Sequence, residues 1–266
     1  HDTFGRVFAL LNPAAFERCF LAWMSALVER SGGRLVAIDG KSIRRSFEHA
    51  WDKSGMTHLV SALVCQGGNK VVFGQVAVKD KSNEIIAIPK LLEWMDLRGA
   101  VVTIDAIGTQ REIAANILKG RGDYVLAVKD NQPALHDKVV ALMDEAALGP
   151  ADGLAVGYFE ELETNHGRIE TRKTWVVNDT ASLGQPLLDL WPGLATGSLA
   201  MVERTRQNMG DLSGKVTIER HYCISSLDGC DDQAARTLAG YVRGHWAVEN
   251  NLHWQLDVSF NEDDRR

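Results

Sequence analysis

Two short apolar runs each end in an aspartate: Val36-Ala37-Ile38-Asp39-Gly40 and Val102-Thr103-Ile104-Asp105-Ala106. Open α/β sheets collect their ligands at the carboxyl ends of strands. Two such strands lying parallel and adjacent set Asp39 and Asp105 side by side at that edge. Paired carboxylates repel unless one is protonated or a cation sits between them. A hard divalent ion meets that need, and Mg2+ binds through one or two carboxylates together with substrate phosphate. Taken singly, each aspartate also fits the plainer role of capping the turn that follows it.

Glu249 offers a third carboxylate, within Arg243-Gly244-His245-Trp246-Ala247-Val248-Glu249-Asn250-Asn251-Leu252-His253-Trp254. Trp246, Glu249, Asn250, His253 and Asp257 recur at helical spacing and are expected to share one face. A face mixing Trp, Glu, His and Asp suits the lining of a polar site better than an apolar core. A solvated face with one buried Trp is the alternative. Glu249 and His253, one turn apart, also have the spacing of a transition-metal pair, but no second His-rich element completes such a site.

These residues need elements to position them. Residues 7–30 read as two helices split near Asn12, with Pro13 placed for a helix start. Strand-like runs follow at 35–39, 58–65 and 71–78, the last two joined by a turn at Gln66-Gly67-Gly68-Asn69. Helical spacing at 83–97, a strand at 100–105, a helix at 109–120 capped by Thr109, a strand at 123–128 and a helix at 133–148 come next. Strand, strand, strand, then alternating helix and strand, gives a mixed sheet with helices on its faces. That is the order of an RNase H-like fold. Strand-like pieces near 155–162, 171–177, 198–206 and 215–225 read as a β-rich insertion, and 231–257 returns to one helical pattern. The expected organisation is a helical segment at 1–33, the first part of the core at 34–149, the insertion at 150–230 and a C-terminal catalytic helix at 231–266.

Composition sets the class. With 266 residues, 45% hydrophobic and 24% charged, the chain can bury a core as an ordinary globular protein. It has no run of 18 apolar residues and no basic-then-apolar leader, so a cytoplasmic protein away from membranes is expected. It begins at His1 rather than Met and stops in mid-pattern, which suggests a piece of a longer protein. Cys19, Cys65, Cys223 and Cys230 show no zinc or redox spacing and read as reduced thiols. The net charge of −6 argues against a nucleic-acid partner for the chain as a whole. Basic residues nevertheless cluster at Lys41, Arg44 and Arg45 and at Arg168, Arg172 and Lys173, and bound metal offsets the charge of an acidic site.

The sequence resembles the insertion-sequence transposases related to the H-repeat-associated proteins found beside Rhs elements. The pieces that carry the resemblance run in order along nearly the whole chain. They include Ala37-Ile38-Asp39-Gly40-Lys41-Ser42-Ile43-Arg44, Lys81-Ser82-Asn83-Glu84-Ile85, Val102-Thr103-Ile104-Asp105-Ala106 and Asp123-Tyr124-Val125-Leu126-Ala127-Val128-Lys129-Asp130-Asn131-Gln132. His166-Gly167-Arg168-Ile169-Glu170-Thr171-Arg172, Trp191-Pro192-Gly193, Tyr222-Cys223-Ile224-Ser225-Ser226-Leu227 and Gly244-His245-Trp246 through Glu249-Asn250 complete it.

The resemblance implies a bacterial DDE transposase with an RNase H-like core and Asp39, Asp105 and Glu249 as its acidic triad. Related families carry a Tyr, an Arg and a Lys at set distances from the Glu; here His245 precedes Glu249 by four, Leu256 follows it by seven, and Tyr241 and Arg243 match only loosely. Two Mg2+ ions about 3.5–4 Å apart, replaceable by Mn2+, would serve an in-line displacement on DNA. The expected partners are double-stranded DNA, as transposon ends and target, and a second copy of the chain. Candidate DNA contacts are Lys41, Arg44, Arg45, Lys129, His166, Arg168, Arg172, Arg243, His245 and Trp246, with solvated surface charge, or core packing for Trp246, as the alternative. A nuclease that cleaves without joining strands, or a catalytically silent DNA-binding relic, carries the same residues.

Overall fold

The computed structural model describes residues 2–28, 34–43, 57–66, 68–78, 84–149, 154–165, 167–210 and 216–261. Arg44, Arg45 and His166 lie outside the described residues. Helices α1 (Asp2–Leu10) and α2 (Pro13–Val28) meet at a bend of 93°. The Asn12 side chain caps the second helix by accepting the Ala15 N–H at 3.0 Å. Among the described residues no single helix is long and apolar enough to cross a membrane, although this bent pair passes the same length and composition test together.

Strands β1 (Arg34–Ser42), β2 (His58–Gln66), β3 (Asn69–Val78), β4 (Ala100–Ile104) and β5 (Asp123–Val128) form one part of a single mixed sheet. Strands β6 (Gly157–Asn165), β7 (Arg168–Val177), β8 (Ser198–Asn208) and β9 (Thr217–Ser225) form the rest, in the order β3-β2-β1-β4-β5-β9-β8-β7-β6. β1, β2 and β3 pair antiparallel, while β1, β4 and β5 pair parallel, which is the RNase H-like arrangement. The strands of the β-rich stretch extend this sheet, because β9 pairs antiparallel with β5 from Val125↔Ser225 to Val128↔Tyr222.

The period of two along a strand divides the core between two faces. Val36, Ile38, Val102, Ile104 and Leu126 pack with α3 (Glu84–Glu93), α4 (Arg111–Lys119) and α5 (Pro133–Leu148). The short α6 (Gln185–Leu190) lies between β7 and β8, followed by the fully buried Trp191. On the opposite face Val101, Val125 and Ala200 meet Ala235 and Leu238 of α7 (Asp232–His245), and Ala37 and Leu63 meet Ala247 and Val248. Asp39 is two residues beyond Ala37, and Asp105 is two beyond Thr103, so both aspartates belong to the face that α7 covers.

Two local readings change. Thr109 does not cap α4; Gln110 holds that position, and the Thr109 hydroxyl is within bonding distance of the Asp105 and Ala127 carbonyls at 3.1 and 2.6 Å. The helix expected over 231–257 is not continuous. It ends at His245, passes through a π-helical turn at Val248–His253 and resumes as α8 (Trp254–Val258). No Pro marks this break in the sequence, and the apolar spacing runs on through it.

Candidate active site

Asp39 and Asp105 sit at equivalent places on neighbouring parallel strands. Ile38 pairs with Ile104, so the next residue on each strand is an aspartate. Adjacent strands lie about 4.8 Å apart, which brings the two carboxylates together on one face. The loop after β4 is laced to the end of β5 and to the loop that follows it. Thr109 reaches Ala127, Asn131 donates to the Ala106 carbonyl, and Gln132 donates to the Thr109 carbonyl at 3.1 Å. Asp105 itself accepts the Ile107 and Gly108 N–H groups on Oδ1, at 3.1 and 3.3 Å. The capping role read from sequence is therefore real for Asp105, and it uses one of two carboxylate oxygens while fixing the group's direction.

The helix carrying Glu249 keeps step with β1. Gly244 lies so close to Leu35 that a Cβ there would strike its side chain. Ala247 and Val248 pack near Ala37, His253 Nδ1 stands 3.6 Å from Asp39 Oδ2, and Asp257 pairs with Lys41. Six strand residues and thirteen helical residues both advance about 20 Å, so the succession of contacts follows from matched lengths. The π-turn adds a residue to one turn and steers its downstream side chains toward β1; such turns recur at functional sites.

The electrostatics report the gathering of acids. The Asp39 carboxyl is pushed up to about 7, first by burial, then by Asp105, with smaller contributions from Glu249 and Glu84 against one lowering hydrogen bond from Gly40. Glu249 is exposed and stands in electrostatic reach of Asp39. Glu84, at the first turn of α3, is a buried acid that sequence reasoning passed over. It comes from the opposite face of the sheet, and its carboxylate lies where a Gly40 side chain would begin. An acid in a helix's first turn is ordinary, so no feature of its own segment marks it.

Among the described residues, no group of three or more His, Cys, Asp or Glu side chains stands close enough to hold one metal ion. Asp39 and Asp105 nevertheless suit a hard divalent cation in donor type. They are oxygen ligands on adjacent strands, and the raised Asp39 registers the repulsion that a cation relieves.

The basic candidates divide by environment. Lys129 and Arg168 are exposed. Lys41 is only 8% exposed and is held by Asp257. Arg172 donates to Glu163 at 2.9 Å and to Glu170, and Arg243 donates to Glu161 at 2.7 Å and to Glu163. Arg172 belongs to the row Glu161, Arg172, Arg204, Glu219, in register across β6 to β9. The Arg204 guanidinium lies 4.3 Å from the centre of the Trp246 ring, with the His221 ring edge-on at 5.6 Å. His245 places Nδ1 3.1 Å from the Thr103 hydroxyl, and its pKa is lowered by burial. Trp246 and His253 therefore address different strands rather than one common face.

Residues 30–266 match the family model described as the transposase DDE domain. The chain is 39% identical over 265 residues to the putative transposase YncI of Escherichia coli O157:H7, covering 100% of this chain and 64% of that one. It is 36% identical over 270 residues to the H repeat-associated putative transposase YhhI of Escherichia coli (strain K12), covering 99% of this chain and 66% of the relative. The chain thus spans about two thirds of the length of these relatives. Among solved structures, a piggyBac transposase synaptic complex with hairpin DNA aligns with 83% of this chain and 40% of that one, at 12% identity and a TM-score of 0.40.

Proposed function

Because this chain belongs to the DDE transposase family, we propose that it carries the catalytic core of an enzyme that cuts transposon-end DNA and joins it to target DNA. The observation that carries this reading is the register of Asp39 against Asp105, with Glu249 near enough to contribute to the raised pKa of Asp39. Asp39 and Asp105 would hold divalent metal, Mg2+ or Mn2+ in a pair of ions, and Glu249 would be the third acidic ligand. When bound, the metal supplies Lewis-acid polarisation and stabilises charge on the attacking and leaving oxygens.

The chain's own groups do the positioning. The hydrogen bonds from Ile107 and Gly108 hold the Asp105 carboxylate in one orientation. Lys129 projects just past β5, beside the two strand ends that carry the aspartates, and is placed to meet a phosphate of the scissile strand. Arg168, exposed at the β6–β7 hairpin, meets the duplex farther out. Lys41, Arg172, Arg243, His245 and Trp246 have partners within the protein, so Lys129 and Arg168 are the phosphate contacts this reading favours. Two copies acting on two ends is the expected assembly.

Nicking and joining of a duplex bearing the ends of the chain's own element, in Mg2+, tests the proposal. Asp39→Asn, Asp105→Asn and Glu249→Gln each lower both steps on the order of 100-fold or more, the scale of removing one transition-state charge stabiliser. Full activity in Asp39→Asn, with the fold intact, sinks the assignment. Nicking without joining leaves a nuclease.

A further inference from the structure

Four consecutive residues shortly before the π-turn, Arg243 to Trp246, engage four parts of the sheet. Arg243 reaches Glu161 of β6, Gly244 lies on Leu35 of β1, His245 meets Thr103 of β4, and Trp246 stacks under Arg204 of β8. Of these four contacts, that of His245 is the side-chain hydrogen bond to a strand that leads directly to one of the paired aspartates; the Lys41–Asp257 pair on β1 lies beyond the π-turn.

The distances make that contact a register mark. From His245 to Glu249 is one helical turn, about 6 Å of rise. From Thr103 to Asp105 is two strand residues, about 6.6 Å on the same face. Fixing His245 opposite Thr103 therefore brings Glu249 level with Asp105. A slip of one residue moves Glu249 by about 1.5 Å and turns it by about 100°, away from the aspartates. The apolar contacts of this segment, Ala247 and Val248 on Ala37 and Leu63, hold it against the sheet but are non-directional. A hydrogen bond between two fixed polar atoms in a largely buried place is directional, and leaving either atom unpaired is costly.

We propose that His245 is a positioning residue of the acidic site, and that its bond to Thr103 sets the register of Glu249 against Asp105. This rests on the reading of Asp39, Asp105 and Glu249 as metal-holding acids. His245 acts through the helix and touches neither metal nor DNA.

Mn2+ binding to the full chain, followed by the electron paramagnetic resonance of free Mn2+, tests it. Thr103→Val, which keeps shape and removes the hydroxyl, and His245→Leu each weaken Mn2+ binding roughly 10-fold, the lower end of the range for losing an orienting partner. The double variant is no weaker than either single one, because both remove the same bond. His245→Asn, whose side-chain amide can keep a bond to Thr103, recovers most of the affinity, which a purely structural role does not require. Unchanged affinity in Thr103→Val, or losses that multiply in the double variant, overturn the proposal. Asp39→Asn separates the two layers. Mn2+ binding lost in Asp39→Asn but kept in Thr103→Val removes the register role alone. A wild-type chain that binds no Mn2+, or binds it as Asp39→Asn does, overturns both.

Discussion

His253 stands with Nδ1 3.6 Å from Oδ2 of Asp39, the two side chains 12% and 14% exposed. A pair so enclosed, with Asp105, Glu249 and Glu84 around it, makes the ionisation of Asp39 a matter of stability as well as chemistry.

Asp39 titrates near 3.8 in an unfolded chain and at about 7 in the fold. Through that window the folded state holds a proton that the unfolded state has released, so the metal-free protein loses stability as pH rises from 3.8 to about 7. Above that range the loss stays constant at a few kcal/mol. Asp39→Asn is expected to flatten this slope and to raise the metal-free melting temperature at pH 8. Melting curves with and without chelator between pH 5 and pH 8 measure it. A slope that survives the substitution assigns the titration to another group.

Glu84 belongs to the same electrostatic unit through the absent side chain of Gly40. Glu84→Gln keeps the shape and removes one contribution that raises Asp39. The pH at which stability falls is then expected to move down by a fraction of a unit, read by the same melting series. The Asp105 contribution is larger, so the window should narrow without closing. No movement would mean that Glu84 is screened from Asp39 by the strand between them.

Gly244 allows the helix to lie against β1, since a Cβ would strike the Leu35 side chain. Leu35 is buried, so Gly244→Ala overpacks the contact and is expected to cost about 1–3 kcal/mol. The same change lifts the segment carrying Glu249 and weakens Mn2+ binding. Urea unfolding gives the first effect and metal titration the second. A destabilised variant with unaltered metal affinity would show that the helix tolerates displacement.

Much of this arrangement is legible in the residues alone, for identifiable reasons. Asp39 and Asp105 stand out because an apolar run that ends in an acid breaks a strong pattern, while the parallel pairing that brings the two runs together is given by the sheet itself. Glu84 stays hidden because its meaning depends on Gly40, distant in sequence and visible only through contact. Trp246 and His253 seem to share a face because 3.6-residue periodicity assumes an unbroken α-helix, and neither Pro nor charge pattern announces the π-turn. Arg172 and Arg243 look available for phosphate because Glu163 of β6, which holds both, and Glu161, which holds Arg243, are brought to them by strand pairing and helix packing rather than by sequence. Local pattern gives the elements, and cross-strand register decides which charges meet.

The π-turn is open to a direct test of that register. Val248–His253 holds one residue more per turn than an α-helix. Removing the exposed Asn251 should restore the α-helical repeat, turning everything downstream by about 100° and drawing it back about 1.5 Å. Ala247 and Val248, which anchor the segment on Ala37 and Leu63, precede the deletion and keep their places. His253 then leaves Asp39, and Asp257 leaves Lys41. Without that ion pair α8 has little to hold it, since none of its five residues is buried. Hydrogen exchange should show residues 254–258 losing protection while 235–245 retain it, and Lys41→Met should reproduce the loss without any change of helical repeat. Retained protection in the deletion variant would mean that apolar packing, and not the π-turn with its Lys41 pairing, fixes the end of the helix.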